Sequence, residues 1–232
     1  MQYFLPFWPA DDIYVQFDPW TNSWGGKELR IWEVYPKPPI DGVLVSLLNI
    51  QRNKKFREKA EKGGIHEALR FNGPVMGDCG AFSYVNESKT PDPLETLETY
   101  RKLGFDIGVT VDHLIVNTIQ EVKTDKSGNN NKALQTIKRE LSLRVKEERW
   151  NLTLENARIM FYESLERKYE GMRLIGVTQG LDPKSYELGV RRLLDIGFDY
   201  IGLGGLVRKP SKYIINVLEK VSLQIKREIK RR

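Results

Sequence analysis

Four short apolar runs in this chain each end on a polar residue or on paired glycines, and that recurrence limits the possible folds more than any single motif does. The runs are Gly73-Pro-Val-Met-Gly-Asp-Cys-Gly-Ala-Phe-Ser-Tyr84, Phe105-Asp-Ile-Gly-Val-Thr-Val-Asp-His-Leu-Ile115, Leu174-Ile-Gly-Val-Thr-Gln-Gly180 and Tyr200-Ile-Gly-Leu-Gly-Gly-Leu-Val207. Each is rich in Val, Ile or Leu and punctuated by glycine, as expected of a parallel strand buried on both faces. Helix-like stretches ending at or near a glycine precede the later ones, over 96–104, 153–171 and 185–197. Strand, polar strand end, helix, glycine, strand is the rhythm of an α/β fold of the TIM-type (β/α) barrel, in which chemistry collects at the C-terminal ends of the strands.

The strand ends carry a consistent set of groups. The first places the carboxylate of Asp78 near the ring of Phe82, with small residues between them. Such a turn lets backbone approach a flat ligand, offers an aromatic face for stacking and an acid for a ring nitrogen. The competing reading is an Asx-type turn with a core Phe. The second ends on Asp112 beside His113, and the third on Gln179, whose amide both donates and accepts. The fourth ends on Gly204 and Gly205. Plain structural roles stand beside these: a helix cap for Gln179, a tight turn for the glycines and an ion pair for Asp112.

Taken in order, Asp78-Cys-Gly-Ala-Phe82, the Val-Asp112 strand end, Gly-Val-Thr-Gln179-Gly180 and Gly-Gly205-Leu-Val resemble the tRNA-guanine transglycosylases. The similarity is strongest to the branch that inserts 7-deazaguanine bases into DNA, and it runs from about Val43 to about Lys220. The resemblance implies that Asp78 handles a proton during base exchange and that Phe82 stacks on the purine. It further implies that Asp112 reads the edge of N1 and the exocyclic amine. Gln179 and Gly205 would hold the six-position oxygen, with Gly180 and Gly204 beside them. The implied partners are nucleic acid, DNA favoured over tRNA, and a 7-deazaguanine base. Arg208 and Lys209, directly after the last strand end, are the first choice for phosphate contacts.

The departures from the family pattern are equally informative. Cys79 stands where the family has Ser, and Ala81 where it has Gly. A lone Cys with a nearby His suggests a Cys–His nucleophile, but His113 belongs to a different strand end and a buried single Cys behaves as a small hydrophobe. The family attacks the sugar with an Asp from a later strand, and many members carry zinc near the C-terminus. Arg232 comes before either, and one Cys with two His cannot assemble a structural zinc site with the usual four ligands. The expectation is therefore a barrel incomplete or truncated at its C-terminus, with no cofactor in this chain. A fragment, a natural chain completed by a second chain, and a protein that has lost the chemistry all remain open.

A length of 232 residues yields five strand candidates, over 43–48, 74–76, 108–111, 174–178 and 200–203. The first forty residues, rich in Trp, Tyr and Pro, read as a cap-like segment, with 13–17 and 28–32 alternating as in a hairpin. A helix is predicted over 53–70. An insertion around 117–150 contains the polar loop 125–132 and a charged helix over 133–148, within a single domain. The net charge of +6 suits a nucleic-acid partner, although the basic run 132–149 reads first as a solvated helix face. No signal peptide and no membrane span are expected, since the apolar N-terminus lacks a basic start and no apolar run approaches the needed length, and a single Cys fits a reducing cytoplasm. An unrelated barrel enzyme using Asp78 and Asp112 on a small metabolite is the remaining competitor.

Overall fold

The four punctuated runs do become neighbouring strands, and two further strands extend the sheet they form. The computed structural model describes residues 2–7, 13–14, 17–18, 23–24, 29–34, 38–124, 134–166, 171–207 and 209–231. Its main sheet comprises β1 (Phe4–Phe7), β2 (Gly42–Ser46), β3 (Val75–Asp78), β4 (Ile107–Val109), β5 (Arg173–Thr178) and β6 (Ile201–Leu203). All five pairings are parallel, and spatial order follows chain order. A doubly wound sheet would reverse direction partway along. An unreversed order with helical crossovers of one hand instead curls the sheet steadily, here into a half-barrel.

Helices α1 (Leu47–Arg52), α2 (Lys54–Leu69), α3 (Pro93–Leu103), α4 (Leu143–Glu166), α5 (Pro183–Ile196) and α6 (Ser211–Ile229) connect or follow the strands. Two of them share one start signal. Asp92 caps α3 by accepting from the amides of Leu94 and Glu95 at 2.8 and 2.9 Å, and Pro93 follows it. Asp182, also followed by proline, caps α5 in a reciprocal capping box with Ser185. Each Asp satisfies amides that have no partner inside the helix, and proline supplies a preset φ where no amide is needed.

Glycines in the strands let helices approach closely. Gly77 and Gly108 are register partners on β3 and β4, and the ring of Tyr100 from α3 lies over both. A Cβ at Gly77 would stand 2.4 Å from that ring. The Tyr100 hydroxyl donates to the carbonyl of Val109 at 3.2 Å, so even this fully buried phenol is satisfied. Phe7, Val43, Val45, Val75, Leu97 and Phe105 fill the same core. Tyr186, Val190, Val217 and Val221 join α5 to α6.

Three features differ from the sequence expectation. Phe4–Phe7 lies in the main sheet, paired in register with residues 42–45, rather than in the cap-like segment assigned to residues 1–40. Its Pro6 interrupts the local strand signal, which an edge strand tolerates because its outward amide needs no partner. Residues 134–140 form a strand, antiparallel to Thr118–Thr124, where a charged helix was expected over 133–148. Cross-strand pairing there outweighs helix propensity. The helix begins only at Leu143 and runs unbroken to Glu166, absorbing most of the stretch 153–171. The polar loop 125–132 lies outside the described residues. The two short pairings Ile13–Tyr14 with Leu29–Arg30 and Phe17–Asp18 with Ser23–Trp24 lie within residues 1–40. No helix among the described residues is long and apolar enough to cross a membrane.

Candidate functional site

The C-terminal ends of adjacent parallel strands lie side by side, so whatever residues follow them must converge. Ser46 at the end of β2 is the register partner of Asp78 at the end of β3. Asp112 follows β4, Gln179 follows β5 and Gly204 follows β6. Together with Phe82 and Gly205 they line one pocket of about 490 Å³, a volume suited to a small planar ligand. Gly180 is not part of the lining. Its missing side chain accommodates the ring of Tyr186, 2.3 Å from where a Cβ would stand.

Asp78 is held locally. Its Oδ2 accepts from the amide of Gly80 at 2.9 Å, closing an Asx-type turn that Gly80 completes at φ +82°. The chain then enters a single 3₁₀ turn, Ala81–Tyr84. Phe82 points outward and is 73% exposed, so the core-Phe reading of this segment does not hold. The core aromatic is Tyr84, two residues on. Burial, and after it the negative charge of Asp112, raises the carboxyl of Asp78 from 3.8 to about 6.

Asp112 is held from every side. Its Oδ2 accepts from the Gln179 amide Nε2, and its Oδ1 accepts from the Cys79 thiol at 3.3 Å. Its backbone carbonyl accepts from the Tyr84 hydroxyl at 2.7 Å. Burial raises this carboxyl also, against the lowering effect of Gln179 and Cys79. The neighbouring backbone is fixed by a stripe along α4. The amide of Val111 meets Met160 Sδ at 3.3 Å, and Asn156 Nδ2 donates to the Val111 carbonyl at 3.3 Å. Thr153 Oγ1 accepts from the amide of His113 at 2.9 Å. Arg149 donates to the carbonyls of Leu114, Val85 and Glu87, at 2.9, 2.8 and 3.3 Å.

Arg149 therefore corrects the reading of 132–149 as a solvated face, because it is buried and ties the turns after β3 and β4 together. The signal was available in the spacing. Residues 149, 153, 156 and 160 recur at intervals of four, three and four, the repeat of one helix face. A buried guanidinium is satisfied there by carbonyls rather than by a carboxylate.

Gln179 is buried, with its amide lodged against Gly204 and Gly205. A Cβ at Gly204 would stand 2.3 Å from Nε2, and one at Gly205 would stand 2.3 Å from Oε1. Paired glycines are thus required by the amide's position, and Gly205 also takes φ +72°. The Gln179 Oε1 is buried without a hydrogen-bond partner, which leaves it free to accept from a ligand. Tyr186 donates its hydroxyl to the Gly204 carbonyl at 2.7 Å and holds the glycine turn in place.

The contacts and charges around Cys79 and His113 disfavour a Cys–His nucleophile. His113 Nε2 pairs with the Glu87 carbonyl at 2.9 Å, and the ring packs edge-on against Tyr84. Burial, followed by the charge of Arg149, lowers its pKa. Cys79 is bonded to Tyr84 and Asp112, and burial beside two carboxylates pushes its thiol well up, which disfavours a thiolate. Lys209 is exposed, with its Nζ 5.3 Å from the ring centroid of Tyr213, and it does not line the pocket. Arg208 lies outside the described residues. Among the described residues no group of three or more His, Cys, Asp or Glu is placed to hold a metal ion.

The sequence is similar to known guanine transglycosylases. A DNA-guanine transglycosylase from Salmonella montevideo is 29% identical over 205 residues, covering 84% of this chain and 45% of that protein. The tRNA-guanine(15) transglycosylase of Methanothermobacter thermautotrophicus is 26% identical over 179 residues, covering 76% of this chain and 23% of that protein. That of Pyrococcus furiosus is 25% identical over 172 residues, covering 72% and 24%. The chain thus spans about half the length, or less, of these curated relatives. No protein-family profile matches it. Curated relatives of both the DNA and the tRNA kind, aligned over most of the chain at modest identity, support the tRNA-guanine transglycosylase superfamily.

Proposed function

We propose that this chain is a guanine transglycosylase-like protein that binds guanine and a 7-deazaguanine base in exchange for one another in nucleic acid, with DNA as the preferred polymer. Its half-barrel is read as part of a TIM-type (β/α) barrel. The observation that carries the proposal is the convergence of Asp78, Asp112 and Gln179 on one pocket, with the exposed ring of Phe82 at its edge. DNA is preferred on the longer alignment with the DNA-guanine transglycosylase, which covers 84% of this chain.

In this reading the free site bonds the Gln179 amide to Asp112, and the base replaces that bond. Guanine presents N1–H and an exocyclic amine on one edge and a carbonyl beside them. The two donors would take the place of the Gln179 amide at Asp112. The released amide, with the backbone N–H of Gly205, would then donate to the carbonyl. Phe82 would stack on the ring once the nucleotide is flipped from its helix, a step requiring a few kcal/mol.

Asp78 acts on the proton. A carboxyl titrating near 6 holds a proton in an appreciable fraction of molecules close to neutral pH, and it can deliver that proton to a leaving purine. As a carboxylate oxygen bonds to C1′ of the sugar, the bond from C1′ to N9 breaks, and the purine leaves with the electron pair and takes up the proton. The incoming deazaguanine returns a proton to Asp78 and displaces the carboxylate. Both acids lining the pocket are assigned to the base, so the attacking carboxylate is expected from a further strand, on this polypeptide or on a second chain.

Thermal melting provides the test. Guanine or a 7-deazaguanine should raise the midpoint of the wild-type protein, because a ligand binding only the folded state stabilises it. Asp112→Asn should abolish that shift, since an amide NH₂ would face the base's own donors. A shift undiminished in the Asn variant would remove Asp112 from base recognition. The two acids in the pocket favour one second reading, a subunit that binds the base without exchanging it. Under that reading labelled guanine shifts the melting curve but does not enter duplex DNA or tRNA with this chain alone.

A further inference from the structure

The floor of the pocket consists of Asp78, Asp112 and Gln179, but the rim on the side of β1 and β2 has no role in base recognition. That rim is supplied by α1, through Leu48, Asn49 and Arg52. The helix starts directly after Ser46, the register partner of Asp78, so it stands beside the strand end that carries the acid. Asn49 Nδ2 donates to the carbonyl of Phe7 on the edge strand at 3.0 Å, which fixes how α1 sits over the sheet. Arg52 lies three residues after Asn49 and therefore on the same face of the helix.

Arg52 is exposed and has no hydrogen-bond or ion-pair partner among the described residues, unlike Arg57, Arg70, Arg101, Arg144 and Arg149. It is also the sole cation among the described residues that line the pocket, where the other two charged groups are Asp78 and Asp112. Two carboxylates, Asp112 buried and Asp78 half-buried, repel a polyanion, and the pocket admits a base attached to a phosphodiester chain only if a cation offsets that repulsion. A guanidinium suits this better than an ammonium, because its fork of donors matches two phosphate oxygens at once.

We propose that Arg52 forms a phosphate subsite at the pocket rim, binding the phosphodiester next to the flipped nucleotide whose base occupies the pocket. The proposal rests on the base-binding reading above. It adds α1, at the β1 and β2 side of the pocket, to the nucleic-acid contact surface. A phosphate ester could also arrive on a free mononucleotide, so the test includes both sources.

Binding of a guanine-containing duplex is measured over a range of salt concentrations for the wild type, Arg52→Ala and Arg52→Lys. Melting shifts are recorded in parallel with free guanine and with guanosine 5′-monophosphate. Arg52→Ala should weaken duplex binding about ten-fold and flatten the dependence of log K on log salt by about one. The guanine shift should persist, because guanine carries no phosphate. Arg52→Lys should keep the salt slope and lose only part of the affinity. Duplex affinity and slope unchanged in Arg52→Ala overturn the proposal, and so does loss of the guanine shift in that variant, which would place Arg52 at the base. An effect on the mononucleotide without one on the duplex overturns the polymer assignment. Absence of a guanine shift in the wild type, with the Arg52→Ala loss of duplex binding intact, overturns the base-binding reading and leaves the phosphate contact standing.

Discussion

The turn after β3 and the segment after β4 each bring one carboxylate to the pocket, yet they are built in opposite ways. Asp78 is held by a local amide two residues away, next to an exposed aromatic. Asp112 is reached from sequence-distant positions, with Gln179 67 residues away and Cys79 33 residues away, while α4 grips the backbone on either side of it. The first carboxylate has few compensating donors and titrates near 6. The second has its oxygens occupied before any ligand arrives. A group that must exchange a proton benefits from the first arrangement, and a group that must read a fixed edge benefits from the second.

The largest way to break this contrast is to release the grip on the second segment. Arg149→Ala should lower unfolding stability by about 3 kcal/mol or more, because three carbonyls lose their donor in a buried site. Arg144→Ala, at an exposed position of the same helix, should stay within about 0.5 kcal/mol. Urea denaturation compares the two. Equal small effects would mean that α4 does not hold the segment carrying Asp112.

Next comes the titration of Asp78. Its folded pKa lies above the ordinary value, so the folded state binds the proton more tightly than the unfolded chain does. The associated stability is fully present below about pH 4 and is lost as pH rises through about 6. Asp78→Asn removes that loss. The variant should be more stable than the wild type at pH 8 by on the order of 2–3 kcal/mol, with the gain vanishing towards pH 4. A stability difference independent of pH would show that Asp78 is not the perturbed group.

The smallest effects sharpen the contrast at the junction of the two turns. Tyr84→Phe deletes the donor to the Asp112 carbonyl and the contact with Cys79, and should be destabilising by about 1–2 kcal/mol. Cys79→Ser keeps a donor for Asp112 and should change stability by less than about 1 kcal/mol. In the wild type the Cys79 thiol should react slowly with iodoacetamide at pH 8 and rapidly once the protein is unfolded. Fast labelling of the folded protein would contradict the raised thiol pKa.

Much of the scaffold was legible locally. Five of the six main strands coincide with apolar runs, because strands of a parallel sheet are buried on both faces and declare themselves by composition. Asp92-Pro93 and Asp182-Pro183 are equally local signals, present in the sequence and used by the structure as helix starts. Phe4–Phe7 was missed because a proline masks an edge strand. The strand over 134–140 was missed because its charged residues resemble an exposed helix until a partner strand is known.

The sequence by itself determined where the strands end and that an acid, an acid, an amide and two glycines occupy those ends in that order. These are properties of short windows, set by composition, spacing and backbone freedom. Only the tertiary structure decided what each group does there. It lodged the Gln179 amide against Gly204 and Gly205, raised the Asp78 carboxyl by burial beside a second carboxylate, and turned Arg149 inward to hold two loops. Each of those outcomes depends on contacts between residues tens of positions apart, and on the loss of water around them, and no local pattern encodes either.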